Sequence, residues 1–364
     1  MLILTDPATA DHDPRAEIWL GRRTPAAEVP HRVSAMREAL VDNGFSLDQP
    51  GSFVGLDALL TRVHTPELLD FLRTAATTWQ DAGYPDWAQA DRVVPYVFPI
   101  PGLLDGSGHH DGRRPVAPHG LTGLFCYDTM TLIGPGTWRA AWAAAGLAAH
   151  AAERATAGRP VYALCRPPGH HVTASAYGGS CYLNNAAVAA EALRARGFER
   201  VAVLDVDAHH GNGTQQIFYD RGDVWYGSVH VDPGAGWFPH YVGFADETGS
   251  GAGQGTNHNR PLPPGSGDQT FLDAVRDLIA QASACGPGGF GAQAVVVSLG
   301  VDAAADDPES PLQVSATGFG ALGELLAEVA RAVPMVLVQE GGYHLPTLGE
   351  LVATVLRPLR SLRG

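Results

Sequence analysis

The sequence predicts an α/β protein built on a parallel sheet with helices on both faces. Two observations carry that reading. First, "RVAVLDVD", "QAVVVSLGVD" (293–302) and "PMVLVQEGG" (334–342) are near-continuous apolar runs rich in β-branched residues. A strand with one wet face alternates apolar and polar residues, whereas a strand covered on both faces does not need to. Second, these runs are separated by helix-like segments at 268–284 and 315–332. Alternating strands and helices assemble into a parallel sheet.

The elements follow in order. "MLILT" reads as a strand and leads into a polar, Pro-punctuated loop. A helix-like stretch follows at 31–42. In "HTPELLDFLRTAATTW", Thr65 is placed to cap a helix, with Pro66 at its first position and Glu67 in its first turn. Residues 84–120 are dense in Pro, Gly and aromatics, and a loop of that length serves a site or an interface. From residue 137 the pattern becomes regular. "TWRAAWAAAGLAAHAAERATAG" is helical, "PVYALCRPPG" is a short apolar run ending in a turn, and "SCYLNNAAVAAEALRARG" is helical after Asn185. No internal repeat is present.

Bulk properties narrow the function. The chain has 364 residues, 45% hydrophobic and 17% charged, the composition of a soluble globular protein. No apolar run reaches the length of a membrane span. The start, "MLILTDPATADHD", has neither the basic nor the apolar region of a signal peptide, so the cytoplasm is the expected compartment. Net charge is -14 with no basic patch, which argues against nucleic acid and favours cationic ligands by steering. Every basic residue other than histidine is Arg. Cys126, Cys165, Cys181 and Cys285 form no CxxC pair, so reduced buried thiols are expected.

Four strand-like runs end in unusual polar groups. "ALC" leads into Arg166-Pro167-Pro168-Gly169-His170-His171, "VAVL" into Asp205, Asp207 and His209, "VVVSLGV" into Asp302, and "VLVQ" into Glu340-Gly341-Gly342-Tyr343. Ligands of open parallel sheets bind outside the carboxyl ends of the strands. Asp207 and His209 are two residues apart, so in extended chain their side chains point the same way. With Asp302 they make three ligands for a divalent transition metal, and three protein ligands leave an open position, as in a catalytic zinc site. Asp205 is placed to orient an imidazole. His170 and His171 suit proton transfer, and Tyr343 suits stabilisation of an oxyanion.

Other features do not support a site. The Gly-x-Gly-x-Gly stretch of "SGAGQGTNHNRPLPP" is followed by prolines rather than a helix, so it is not a dinucleotide loop. Ser180 is not in a Gly-x-Ser-x-Gly elbow. His109-His110 reads as part of the Gly-rich loop.

"RPPGHH", "GGSCYLNNAAVAA", "VLDVDAHHGNGTQ", "SVHVDP", "VVVSLGVD" and "EGGYHL" resemble, in order, the motifs of the arginase–deacetylase superfamily and its histone deacetylase-like amidohydrolases. "HTPELLDFL", "GPGTW", "IFYDRGDV" and "DETGSGAGQGT" are most similar to the bacterial acetylpolyamine amidohydrolase branch. The resemblance covers nearly the whole chain. It implies one deacetylase domain over residues 1–364, carrying the insertion at about 84–120, with a central eight-stranded parallel sheet.

The resemblance also implies roles. Asp207, His209 and Asp302 would hold one zinc per chain. His171 would be the general base and acid, His170 its electrostatic partner and Tyr343 the carbonyl-polarising phenol. Asp205 would pair with His170 and Asn212 with His171. Ser228, with carbonyl groups around Asp205, Asp207, His209 and Val229, matches a structural potassium site. The activity implied is hydrolysis of the acetyl amide of a small N-acetyl amine by a homodimer. Two departures bear on substrate. His119 and Met130 stand where the polyamine branch has acidic residues. Of the two aromatic walls usual in the acyl-amine tunnel, Phe238 or Trp237 supplies one, and Ser180 stands at the other. Acetylated polyamines are therefore expected to be accepted without being uniquely preferred, and tailoring of a specialised metabolite or action on acetyl-lysine is an alternative. A non-catalytic sensor would require a degraded site, and no catalytic residue is missing. A dimanganese ureohydrolase would need further Asp ligands that "DAHHGNG" does not supply.

Overall fold

A computed structural model describes residues 1–84, 92–100, 103, 114–283 and 289–362. Much of the 84–120 insertion, with His109-His110, and Cys285 lie outside the described residues. The strands are β1 (Leu2–Leu4), β2 (Ala16–Trp19), β3 (Arg22–Pro25), β4 (Leu47–Asp48), β5 (Val161–Ala163), β6 (Val201–Asp205), β7 (Val224–Val231), β8 (Asn257–Leu262), β9 (Ala294–Leu299) and β10 (Met335–Gln339). Eight of them form one all-parallel sheet in the order β4-β1-β5-β10-β9-β6-β7-β8, while β2 and β3 pair as an antiparallel hairpin.

Both faces of the sheet are buried, which is why its strands show no alternation of apolar and polar residues. Val201, Val203, Val296, Val336 and Val338 point to one side, against the helices Pro66–Asp81, Thr137–Arg154 and Asn185–Ala195. Ala202, Leu204, Val295, Val297, Met335 and Leu337 point to the other, against His31–Asp42, Asp268–Ser283, Ala316–Ala332 and Leu345–Arg360. The helix starts are capped as their residues dictate. Thr65 accepts from the Leu68 amide, and Asn184 accepts from the Ala187 amide.

Three strands of the sheet lack the pattern that made the others legible. β4 is two residues long. β7 is buried along its whole length but carries Gly227, Ser228 and His230. β8 contains Pro261, which is tolerated because β8 is an edge strand. The Gly-x-Gly-x-Gly stretch forms a short 3-10 turn, Gly251–Gly253, and runs into β8 with no helix.

The order of the sheet decides the site. The four runs with polar ends are β5, β10, β9 and β6, and these are consecutive neighbours. Groups up to 173 residues apart, from His170 to Tyr343, therefore leave the sheet along one continuous stretch of its carboxyl edge.

Candidate metal centre and active site

The turns that follow β6 and β9 supply the three predicted ligands. His209 Nδ1 lies 2.9 Å from Asp302 Oδ2 and 3.3 Å from Asp207 Oδ1. One ligand atom from each of the three residues lies within 4.8 Å of the others. Backbone amides fix both carboxylates. Asp302 Oδ1 accepts from Ala208 N at 2.8 Å, and Asp207 Oδ2 accepts from Gly341 N at 2.7 Å. A Cβ on Gly341 would sit 2.5 Å from Asp302 Oδ2 and 2.6 Å from Asp207 Oδ2, so only glycine lets β10 close onto the pair. Burial and the adjacent Asp207 carboxylate push Asp302 up to about 7. Two buried carboxylates facing one imidazole form a donor set that a divalent cation relieves, at spacings suited to metal–ligand bonds of about 2 Å.

The histidine pair follows β5. His170 Nδ1–H donates to Asp205 Oδ2 at 3.0 Å, and Tyr226 donates to the same oxygen at 3.1 Å. His171 Nδ1–H donates to Asn212 Oδ1 at 2.7 Å, leaving Nε2 free as an acceptor. The two rings lie 4.0 Å apart between centroids yet titrate in opposite directions. Burial opposes charge on His170, but Asp205 and Asp207 outweigh it and raise its pKa to about 10. Burial, then His170 and His209, pull His171 well below its ordinary value. Opposed environments of this kind separate a charged partner from a neutral base.

A brace lies beneath the pair. Glu340 Oε2 accepts from Gly169 N at 2.7 Å and His170 N at 3.2 Å, and its Oε1 accepts from Ser298 Oγ at 3.1 Å. Glu340, His170 and Cys181 also bring ligand-type atoms within 4.8 Å of one another. There, however, the carboxylate is already occupied by donors.

Tyr343 is steered from two sides. Its amide and that of His344 donate to Asp307 Oδ2 at 2.6 and 3.1 Å. Arg32, fully buried, donates to the carbonyls of Gly342 (2.7 Å) and Glu340 (2.6 Å), and its guanidinium carbon lies 4.7 Å from the centre of the Tyr343 ring. Residue-level reading missed Arg32, Asp307 and Glu340 as functional groups. Glu340 carried a signal, a carboxylate at the end of an apolar strand. Arg32 carried none toward this site: its ion-pair partner Glu28 is four residues away, but the carbonyls it holds beside Tyr343 are more than 300 residues away.

At the mouth, Phe238 meets the His171 ring edge-on, 4.8 Å between centroids and 89° between planes. Trp237 packs instead against the second core cluster. The half-buried Ser180 has φ of 60° and its amide donates to Thr131 Oγ1 at 2.8 Å. The Met130 amide donates to Asp128 Oδ1 at 2.9 Å. His119 Nδ1 accepts from the Tyr84 hydroxyl at 2.6 Å and faces Tyr96, which ties it to the base of the insertion. Ser228 is the register partner of Asp205 in the sheet, and its hydroxyl lies 2.8 Å from His230 Nδ1. Val229 follows it in the buried β7.

Comparison with known proteins gives the family. The histone deacetylase domain model matches residues 26–359. The chain belongs to the histone deacetylase family. It is 40% identical to the acetylpolyamine amidohydrolase of Mycoplana ramosa over 344 residues, 94% of this chain and 95% of the relative. It is also 40% identical to the acetylpolyamine amidohydrolase of Burkholderia pseudomallei strain 1710b over the full length of both. A crystal structure of the acetylpolyamine aminohydrolase from Burkholderia pseudomallei superposes with a TM-score of 0.87 at 38% identity, covering 100% of both chains. The fold of this histone deacetylase family member is accordingly a single α/β domain with an eight-stranded parallel sheet.

Proposed function

We infer that this chain is a zinc-dependent deacetylase that hydrolyses the amide of N-acetyl amines, acetylated polyamines among them. The observation that carries the reading is the convergence of Asp207, His209 and Asp302 beside a histidine pair whose Nδ1 atoms are held by Asp205 and Asn212 and whose pKa values are pushed in opposite directions. Full-length similarity to acetylpolyamine amidohydrolases supports the substrate class.

Asp207, His209 and Asp302 would hold the zinc. Bound there, it supplies Lewis acidity to the amide carbonyl and lowers the pKa of water. The chain provides the rest. Burial and the neighbouring His170 disfavour charge on His171, and donation of its Nδ1–H to Asn212 makes Nε2 the unprotonated nitrogen of the neutral ring. It takes up a proton from the attacking water and returns it to the leaving amine nitrogen. His170, held charged by Asp205, keeps positive potential beside the reaction. The Tyr343 hydroxyl donates to the carbonyl oxygen as it becomes an oxyanion. Water adds to the carbonyl, the C–N bond breaks, and acetate and the free amine leave.

The wider expectations stand as proposals. Ser228, Val229 and the chain around Asp205 would hold potassium, supported by the pairing of β6 with β7 at that point. A homodimer is supported by apolar residues exposed around the insertion, including Tyr96 (79%), Val116 (98%) and Leu103 (61%). No described helix is long and apolar enough to cross a membrane. The cytoplasm is the proposed compartment, supported by the unpaired buried thiols of Cys126, Cys165 and Cys181.

The decisive experiment measures acetate release from acetylated polyamines, acetyl-lysine peptides and neutral N-acetyl amines, with metal content determined in parallel. Zinc at one per chain with turnover of N-acetyl amines is expected. A metal-loaded protein that hydrolyses none of them would overturn the reading.

A further inference from the structure

The tunnel should have two aromatic walls, yet Ser180 stands where one of them is expected. A different ring occupies that side. Tyr127 lies nearly parallel to Phe238, 6.3 Å between centroids and 17° between planes. It is placed there by the backbone. The Tyr127 amide donates to the carbonyl of Tyr177 at 3.2 Å, so residues 125–127 run beside the 177–180 segment. Gly178 and Gly179 make room for this arrangement. A Cβ on Gly178 would sit 2.4 Å from the Tyr127 ring, and one on Gly179 would sit 2.3 Å from the His171 ring. The glycine pair is thus a thin partition between the two rings.

The same tyrosine reaches the proton-transfer group. Its hydroxyl donates to the His171 carbonyl at 2.9 Å and accepts from Asn212 Nδ2 at 3.4 Å. Asn212 is the residue that orients the His171 imidazole. One side chain therefore faces Phe238 with its ring and holds the His171–Asn212 unit with its hydroxyl.

We propose that Tyr127 is the second wall of the substrate slot, replacing an aromatic at position 180, and that it also positions His171. This rests on the deacetylase reading above. The spacing adds a statement about substrate. A methylene chain between two rings needs carbon contacts of about 3.7 Å on each side, or roughly 7.4 Å between ring planes. With centroids 6.3 Å apart the ring planes are no further apart than that, so the slot is too narrow for this by about 1 Å or more. Tyr127 is anchored by its hydroxyl, so Phe238 must yield, and the slot selects slim, unbranched amine chains.

The test uses the zinc-loaded enzyme, a linear N-acetyl diamine as substrate, and calorimetric binding of the product diamine. Tyr127→Ala is expected to raise KM and weaken product binding by about tenfold or more. Tyr127→Phe keeps the wall and loses the hydroxyl, so kcat falls while KM holds. Ser180→Tyr alone crowds a wall already occupied and weakens binding. Combined with Tyr127→Ala, it restores binding toward wild type. The proposal is overturned if Tyr127→Ala leaves KM and product affinity unchanged, or if Ser180→Tyr alone tightens binding. Should Tyr127→Ala not fold, the sign of the Ser180→Tyr effect decides on its own. If wild type hydrolyses no N-acetyl amine, the functional reading falls. If it does and the variants behave alike, only the role of Tyr127 falls.

Discussion

Among the described residues two triads bring metal-ligand atoms within 4.8 Å of one another, and they are built for different work. His170, Cys181 and Glu340 are buried, and the Glu340 carboxylate accepts from two backbone amides and a serine hydroxyl. Its lone pairs already have donors, so a cation would have to displace hydrogen bonds that hold the His170 turn. Asp207, His209 and Asp302 differ in two respects. Each carboxylate keeps an oxygen turned toward His209, and His209 is only partly buried, at the open end of the group. Proximity of ligand types is therefore not enough. Asp207 and Asp302 also accept from backbone amides, so what distinguishes the metal site from the brace is two carboxylates converging on one accessible imidazole.

The comparison is broken most directly at Asp207. Asp207→Ala should lose zinc and activity together, because it deletes one of three protein ligands. A variant with stoichiometric zinc and normal turnover removes the metal assignment. His171→Ala follows, with kcat expected to fall roughly 100- to 10,000-fold while zinc is retained. His170→Ala should cost less, and the reverse order in kcat would exchange the two roles. Tyr343→Phe is expected to lower kcat by roughly 100-fold or more with fold and metal intact. Near wild-type rates would make Tyr343 structural.

The brace should respond differently. Glu340→Ala leaves the Gly169 and His170 amides and the Ser298 hydroxyl without their buried acceptor, so a loss of about 1–3 kcal/mol in denaturant stability is expected, with zinc kept. Cys181→Ala is the smallest change, leaving zinc content and metal affinity as in wild type. A fall in zinc in either variant would mean that the buried triad takes part in metal binding.

Much of this was legible because it is local. Asp207 and His209 are two residues apart just past a strand end, so their proximity is local, although the segment bends there and the His209 amide turns back onto Asp207. Asp205, His170, His171, Asp302 and Tyr343 each end an apolar run, and a polar group in that position stands out against its neighbours. β7 and β8 were not legible as runs, since glycine, histidine and proline interrupt them. The mouth was legible only in part. Phe238 lies against His171, whereas His119 is bound to Tyr84 and Tyr127 lies opposite Phe238.

The sequence by itself determined the chemistry available: which strands are buried on both faces, and which carboxylates, imidazoles and phenol stand at their ends. Only the tertiary structure decided which of these groups meet. β5, β10, β9 and β6 are neighbours although the chain visits them in a different order, and that adjacency is set by pairing across the sheet. Arg32 acts on Tyr343, and Glu340 on His170, for the same reason. A buried charge takes its partners from whatever packing brings near it, and packing joins residues that no local pattern connects.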